Sequence, residues 1–210
     1  MTHQELKSTL ILASVYGLRM FGMFILLPIF AVYASNLSNA PTATQIGLAL
    51  GIYGLTQALL QLPFGVASDF FGRKPMIYVG LFLLVIGSLI AGASDQIEYI
   101  ILGRAIQGSG AISAVLTAYL SDLTSPAQRT KSMAIVGASI GLTFLLSLIL
   151  APLLNHKIGV PGIFMMIALL SLMAMFIVRF FLPELTIKPK SRLIDKVAFK
   201  NILLRFDLQQ

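Results

Sequence analysis

The sequence contains no cysteine and no tryptophan, and only 11% of its 210 residues are charged. Without cysteine, a disulfide framework, a thiolate zinc site and a thiol nucleophile are excluded. A hydrophobic content of 57% also argues against a soluble domain, because part of so much apolar surface would have to face water. The solvent of this chain is therefore predicted to be the lipid bilayer.

The positive net charge does not indicate a nucleic-acid partner. The formal charge is +7, but the bases are spread between apolar runs and are not gathered into a patch interleaved with aromatic residues. The N-terminal segment runs into a long apolar stretch that has no small-residue cleavage site. It predicts a retained helix and not a removed signal peptide.

Apolar runs of membrane-spanning length dominate the sequence. A bilayer core about 30 Å thick needs about 20 apolar residues of helix, and short connections such as SNAPTATQ and TSPAQR separate the runs. Alternating segments of the kind that form membrane barrels are absent from the sequence. The predicted fold is an all-α integral membrane bundle over residues 1–182, with six transmembrane helices at about 8–33, 44–64, 75–93, 98–120, 132–154 and 161–182.

The distribution of basic residues predicts the orientation. Cytoplasmic loops of membrane proteins are enriched in Lys and Arg. Among the connections on one side the sole base is Lys157, whereas the other side holds Lys7, Arg73, Lys74, Arg129, Lys131, Arg179 and the bases of the tail. Both termini are therefore expected in the cytoplasm. Residues 183–210 are predicted to form a basic, partly amphipathic linker that lies along the headgroups, or else a loosely ordered basic tail.

Two arginines fall inside the predicted spans, Arg19 midway along the first and Arg104 in the outer half of the fourth. A charged side chain in hydrocarbon is costly, so each is a functional hypothesis by default. Spacings of three or four residues place polar neighbours on the same helix face. Three such pairs occur, Tyr16 with Arg19, Gln57 with Gln61, and Arg104 with Gln107.

These polar faces are predicted to line one water-filled cavity between helices, with Tyr16, Gln57 and Gln61 as possible substrate contacts. The alternative is that the amides and the tyrosine hydrogen-bond neighbouring helices. No acid lies deep in a predicted span, although a carboxylate at the midplane is the usual proton carrier in transporters. No Ser/His/Asp grouping or nucleotide-binding loop is present in a suitable context, so the sequence predicts no enzyme.

Three sequence signatures carry a resemblance to a known family. The turn between the second and third spans fits the pattern G-x-x-x-D-x-x-G-R-[KR], the fourth span fits R-x-x-Q-G-x-G, and the first has a Gly followed six residues later by Pro. The matching residues are Gly65, Asp69, Gly72, Arg73 and Lys74 in the first signature, Arg104, Gln107, Gly108 and Gly110 in the second, and Gly22 and Pro28 in the third. The chain resembles the amino-terminal half of a transporter of the major facilitator superfamily.

The resemblance implies one half of a twelve-helix fold that holds its substrate at the midplane between two halves. The sequence is similar to the drug-efflux branch of proton-coupled antiporters, and this likeness implies a location in a bacterial cytoplasmic (inner) membrane. That likeness implies small, lipophilic substrates, no cofactor, and a proton gradient as the driving force. The partners are then the bilayer, the substrate, and a second six-helix half or a second copy of the chain. In a single half, Arg19 and Arg104 are expected to face lipid or that partner.

The resemblance also implies roles for the site residues. Gly65, Asp69, Gly72, Arg73 and Lys74, with Asp122 as a further partner of Arg73, are expected to form a conformational latch. Arg104, together with Gln107 and Arg19, is expected to serve proton coupling or the cavity, with Arg104 lowering the pKa of an acid that it contacts. The alternatives are a non-transporting remnant or interaction subunit and a proton-coupled uptake permease.

Overall fold

The structure, a computed structural model, describes residues 1–183, and every regular element in this range is a helix. The helices are α1 (His3–Phe24), α2 (Phe30–Ser35), α3 (Ala43–Phe71), α4 (Arg73–Gly92), α5 (Ile97–Ser109), α6 (Ser113–Leu123) and α7 (Arg129–Phe181), with a short 3-10 turn at Pro126–Gln128. Apart from Pro183, the predicted linker lies outside the described residues.

Two of the helices begin at capping boxes. The hydroxyls of Thr2 and Thr42 each accept the N–H three residues on, and the side chains of Glu5 and Gln45 bind back to the cap. Glu5 also makes a contact beyond its own helix, because its Oε1 accepts a hydrogen bond from the N–H of Ser125 at 2.9 Å. We call the contacts of the Glu5 carboxylate with Thr2 and Ser125 the Glu5 clasp. The clasp fastens the start of α1 to the connection before α7.

One end of the bundle collects the basic connections. Glu5 contacts Ser125, Arg73 contacts Asp122, and the hydroxyl of Tyr119 donates to the carbonyl of Pro183. The N-terminus, the α3–α4 turn, the α6–α7 connection and Pro183 therefore share this end, which we call the basic end. Which side of a membrane it occupies stays a prediction.

Helix α7 turns back on itself at Gly159, where φ is 67°. Val136 and Val178 belong to the same buried cluster, although a straight helix would place them roughly 60 Å apart. The two parts of α7 are thus antiparallel, and the chain passes six times along the bundle. Four stretches of the described range are long and apolar enough to cross a membrane, namely Ala43–Phe71, Arg73–Gly92, Ile97–Leu123 and Pro126–Phe181.

The helices differ from the predicted spans at two interior breaks. The first span ends as α1 at Phe24 and resumes as α2 at Phe30, because Pro28 has no N–H to donate to the carbonyl of Phe24. The fourth span is divided into α5 and α6 by residues 110–112. The second span, by contrast, continues seven residues past its predicted end at 64, to Phe71, and carries Asp69 on its last turn.

The apolar core consists of two clusters, one near each end of the bundle. The basic-end cluster contains Val15 of α1, and the opposite-end cluster contains Ile25, the residue that follows α1; Arg19 lies between these two residues. Along the fourth span Arg104 and Gln107 likewise lie between Ile100 and Ile112. The bundle therefore has a buried polar layer between two apolar layers, and this layer holds both arginines of the spans.

Candidate functional site

The charged turn between α3 and α4 is organised around the side chain of Arg73. Its Nη1 lies 2.7 Å from Oδ1 of Asp69, and its Nε donates to Oδ2 of Asp122 at 2.9 Å. The pairing suggested by the sequence is thus present, and it ties the end of α3 to the end of α6. We call Asp69, Arg73 and Asp122 the basic-end triad. Its role as a latch stays a prediction.

Sequence reasoning missed Ser68, which supports the triad from inside the bundle. Its hydroxyl is fully buried, accepts from Nη1 of Arg73 at 2.5 Å, and donates to the carbonyl of Gly65 at 2.6 Å. These bonds orient the guanidinium toward both acids. No charge or periodicity distinguishes this serine from the many others in the chain, so the sequence alone gave no signal for it.

The other residues of the turn have distinct positions. Gly72 alone joins α3 to α4 and has φ 99°, a conformation that L side chains rarely adopt. Gly65 faces Ala114 of α6. Lys74, on the first turn of α4, is partly buried, and the ion pairs found within residues 1–183 do not include it.

An open groove runs along α3 and α6 from the triad toward the polar layer. It encloses about 730 Å³. Its polar lining consists of Gln61, Asp69 and Arg73, and its remaining lining consists of small or aliphatic residues, Ala58, Leu62, Gly65, Val66, Ala114 and Ala118. Asp69 and Arg73 of the triad belong to this lining. We call this surface the α3–α6 groove.

Arg104 lies in the polar layer and is only 2% exposed. Its Nη1 donates to Oε1 of Gln107 at 3.0 Å, its Nε points at the carbonyl of Ala49 at 3.4 Å, and its guanidinium sits 4.5 Å from the ring centre of Tyr53. Gln107 in turn donates to the hydroxyl of Ser88 at 2.6 Å. Tyr53, which the sequence did not single out, stacks on the charge, and its own hydroxyl is buried without a partner in the described range.

Arg19 lies in the same layer and is 1% exposed. Its Nη1 donates to the hydroxyl of Ser113 at 2.8 Å and its Nη2 to the carbonyl of Gly110 at 3.2 Å. Its Nε is buried with no hydrogen-bond partner among residues 1–183.

The expectation that Arg19 and Arg104 face lipid or a partner is therefore wrong. Both side chains point into their own half, where hydroxyl, carbonyl, amide and aromatic groups surround the charge. Partial charges held at fixed positions stabilise a cation in a medium that lacks water. Within residues 1–183 neither arginine pairs with a carboxylate.

The three possible substrate residues have different surroundings. Gln61 lines the α3–α6 groove, and Tyr16 packs against the basic-end cluster. Gln57 is partly buried, and its Oε1 has no partner in the part of the chain that the structure describes. Their role as substrate contacts stays a prediction.

The chain matches the family model described as Major Facilitator Superfamily over residues 12–205. It is 52% identical over 171 residues to the inner membrane transport protein YajR of Escherichia coli K12, a match that covers 81% of this chain and 37% of that protein. It is 34% identical to the bicyclomycin resistance protein homolog of Haemophilus influenzae, over 94% of this chain and 51% of that protein.

Among solved structures, the human organic anion transporter MFSD10 (TETRAN) superposes with a TM-score of 0.77 at 20% identity. The superposition covers 90% of this chain and 50% of the human protein, and it shows a shared fold. The chain spans about half or less of the length of these relatives.

Proposed function

The chain belongs to the major facilitator superfamily, and we propose that it forms one half of a proton-coupled transporter that exports small, lipophilic molecules across a bacterial inner membrane. The family consists of membrane transporters, and the likeness to a bicyclomycin resistance protein homolog supports the efflux part of the proposal. The basic end is then cytoplasmic, in keeping with the distribution of Lys and Arg.

The observation that carries the proposal is the uncovered glycine pairs on α3 and α7. Gly47 and Gly51 on α3, and Gly137 and Gly141 on α7, have no atom within 4 Å of where a Cβ would stand. Such small-xxx-small pairs normally allow another helix to approach closely. They lie on the same two helices as many exposed leucines and phenylalanines. A second six-helix unit, either a further part of a longer chain or a second copy, would cover these faces and close a substrate cavity.

Proton coupling is assigned to Arg104. Its charge is compensated by dipoles alone within the described range. Because Arg104 is buried within its own half, a carboxylate of the second unit would reach it only when the rocking of the two halves opens the polar layer. An acid next to a fixed cation in a dry site has a lowered pKa. Movement of the acid away from Arg104 would raise that pKa and cause it to take up a proton, which links protonation to the rocking of the two halves.

The role assigned to the basic-end triad is to keep the cytoplasmic side closed. Arg73 holds Asp69 and Asp122 at the end of the α3–α6 groove. A helix of the second unit that lies in the groove would have its end next to these charges. The triad would then stabilise the state that is open to the opposite side, as the family resemblance implies.

The experiment reconstitutes the chain into liposomes, alone and together with the carboxyl-terminal half of the Escherichia coli relative. A pH gradient is imposed, and the movements of ethidium, a lipophilic cation, and of protons are recorded together. We expect ethidium and protons to move in opposite directions, and we expect Arg104→Gln to reduce this flux at least tenfold. Lys157→Gln, which removes an exposed base at the opposite end, is the matched control.

Flux from the chain alone would identify a second copy as the missing unit, and flux only in the mixture would identify a distinct half. Movement of ethidium and protons in the same direction would replace efflux by uptake. Absence of flux in both preparations, with a monomeric chain, would reject transport and leave a non-transporting subunit.

A further inference from the structure

The break in the fourth span lies inside the buried polar layer. Between α5 and α6, Ala111 donates to the carbonyl of Ser109 and Ile112 to that of Gly110, both at 2.8 Å. These bonds reach back two residues and not four, so the helical ladder is interrupted here. In a bilayer the backbone groups freed by such a break must find other partners within the protein.

Arg19 of α1 supplies contacts to both sides of the break. One terminal nitrogen binds the carbonyl of Gly110, the residue that follows α5, and the other binds the hydroxyl of Ser113, the first residue of α6. A guanidinium presents two donors in a rigid planar fork, which suits it to hold two acceptors at a fixed separation. The cation also lies at the C-terminal end of α5, where the helix dipole favours positive charge.

Helix α4 closes the other side of the break. A Cβ placed on Gly110 would overlap the carbonyl oxygen of Gly80, and one placed on Gly80 would overlap the side chain of Ile112. The break is thus held between the backbone of α4 and the side chain of Arg19. The Arg19 contacts can be removed by shortening a side chain, which adds no atoms to this crowded interface.

The two segments joined at the break carry different charged groups. α5 carries Arg104 and Gln107, which are held by Tyr53 and Ser88, and α6 carries Asp122 of the basic-end triad. The angle between α5 and α6 therefore sets the position of the triad relative to the polar layer.

We propose that Arg19 is a positioning residue that pins the break in the fourth span and so fixes the angle between α5 and α6. Arg19 thereby connects the Arg104 group to the basic-end triad through a hinge inside a single span. That geometry is a property of the chain itself. Its use in alternating access rests on the proposed transport function.

The test uses the natural absence of cysteine, which allows pairs of spin labels to be attached at introduced cysteines. One pair, Thr117 with Phe180, reports α6 against the second part of α7. A matched pair, Tyr99 with Met165, reports α5 against the same part of α7 near the opposite end. All four side chains are exposed in the described bundle.

In Arg19→Gln we expect the Thr117–Phe180 distance to broaden and shift, with the Tyr99–Met165 distance unchanged. A swing of about 20° at the break would move Thr117 by roughly 3 Å. Ser113→Ala, which removes one of the two anchors, should give a smaller change in the same pair. Thr9→Val deletes another buried hydroxyl of α1, one that contacts Ser132 and not the break, and should change neither distance.

The proposal is overturned if the Thr117–Phe180 distribution in Arg19→Gln matches the parent chain. It is equally overturned if both pairs change together, because Arg19 would then support the bundle in general. Should Arg19→Gln fail to fold, Ser113→Ala decides the question, and an unchanged Thr117–Phe180 distribution in that variant rejects the pin. None of these outcomes depends on transport being observed.

Discussion

Arg73 and Arg104 are both largely buried arginines, yet their surroundings differ in kind. Arg73 lies between two carboxylates at the basic end, where the acids are 62% and 40% exposed. Arg104 is enclosed in the polar layer by an amide, a carbonyl and an aromatic ring, with no acid among the residues described. Charge at the end of the bundle is thus neutralised by carboxylates of this chain, whereas charge in the middle is surrounded, within the described residues, by dipoles and an aromatic ring alone.

The difference in surroundings means that the two arginines should contribute differently to stability. A cation with its own acids contributes to the fold as it stands. A buried cation without an acid lowers stability, and such a group is a candidate for a functional site. The contrast therefore predicts opposite signs for the loss of the two charges.

The largest expected effect belongs to Arg104→Met. We expect proton-linked flux to be lost and, at the same time, the free energy of unfolding to rise by about 1–2 kcal/mol, because a buried charge that has dipoles but no carboxylate as partners is replaced by an apolar group of similar length. Circular dichroism during a denaturant titration in detergent measures the stability. A marked loss of stability would mean that the dipoles around Arg104 fully compensate its charge, and the contrast with Arg73 would fail.

Arg73→Met should act in the other direction. It leaves Asp69 and Asp122 facing each other without their shared cation, and we expect the same titration to show a loss of about 1 kcal/mol, after allowance for the exposure of both acids to water. High salt should reduce the difference, because exposed charges are screened. A difference that does not change with salt would assign the effect to packing and not to charge.

Asp69→Asn should have a smaller effect, which we expect only on the conformational equilibrium of a complete transporter with both halves present. We expect a cysteine introduced at Ala118, in the α3–α6 groove, to react about threefold faster with a water-soluble maleimide, the change produced by loss of a salt bridge worth about 0.6 kcal/mol. Asp95→Asn, at the opposite end, is the control. Equal rates of maleimide labelling in the two variants would mean that the triad does not act as a latch.

The smallest effect concerns the Glu5 clasp, in which backbone N–H groups, and not a basic side chain, stabilise the carboxylate of Glu5. The N–H groups of Ser125 and Thr2 lower the pKa of Glu5 from 4.5 to about 2. A carboxyl with a lowered pKa stabilises the fold above its unfolded pKa and loses that contribution as the pH falls toward 2. Protection of the Ser125 amide, measured against its intrinsic exchange rate at each pH, should thus be full above the unfolded pKa of 4.5 and decrease progressively as the pH falls toward 2. Glu5→Gln should remove this pH dependence. Protection that stays constant over this pH range in the parent chain would contradict the clasp.

The sequence predicted the class of fold and the charged turn because both depend on local patterns. Apolar run length identified the bundle, and the spacing of Asp69 and Arg73 suggested their pairing. The two helix breaks were harder to predict from the sequence. Pro28 marks the first, but the second falls at Gly110, which was identified in the sequence only as part of a family signature. Close packing is present, and the interrupted ladder accompanies it.

The partners of the buried arginines could not be predicted. Ser113 lies in a different span from Arg19, and no periodicity within one helix reports which neighbouring helix a face meets. The same limit applies to Tyr16, Gln57 and Gln61, whose grouping in one cavity stays a prediction. Ser68 and Tyr53 act through contacts that exist only after the helices have assembled.

The glycines between α4 and the fourth span have a consequence for the force that holds this bundle together. Gly80 meets Gly110, and Gly87 meets Gly103, so closely that neither pair could accept a methyl group. Lipid tails are as apolar as leucine, so the hydrophobic effect does not drive helices together within the bilayer, and contacts between backbones are held by dispersion and weak Cα–H···O bonds. Such attraction depends on fit and not on the surrounding solvent. Contact between α4 and α5 should therefore survive extraction into detergent.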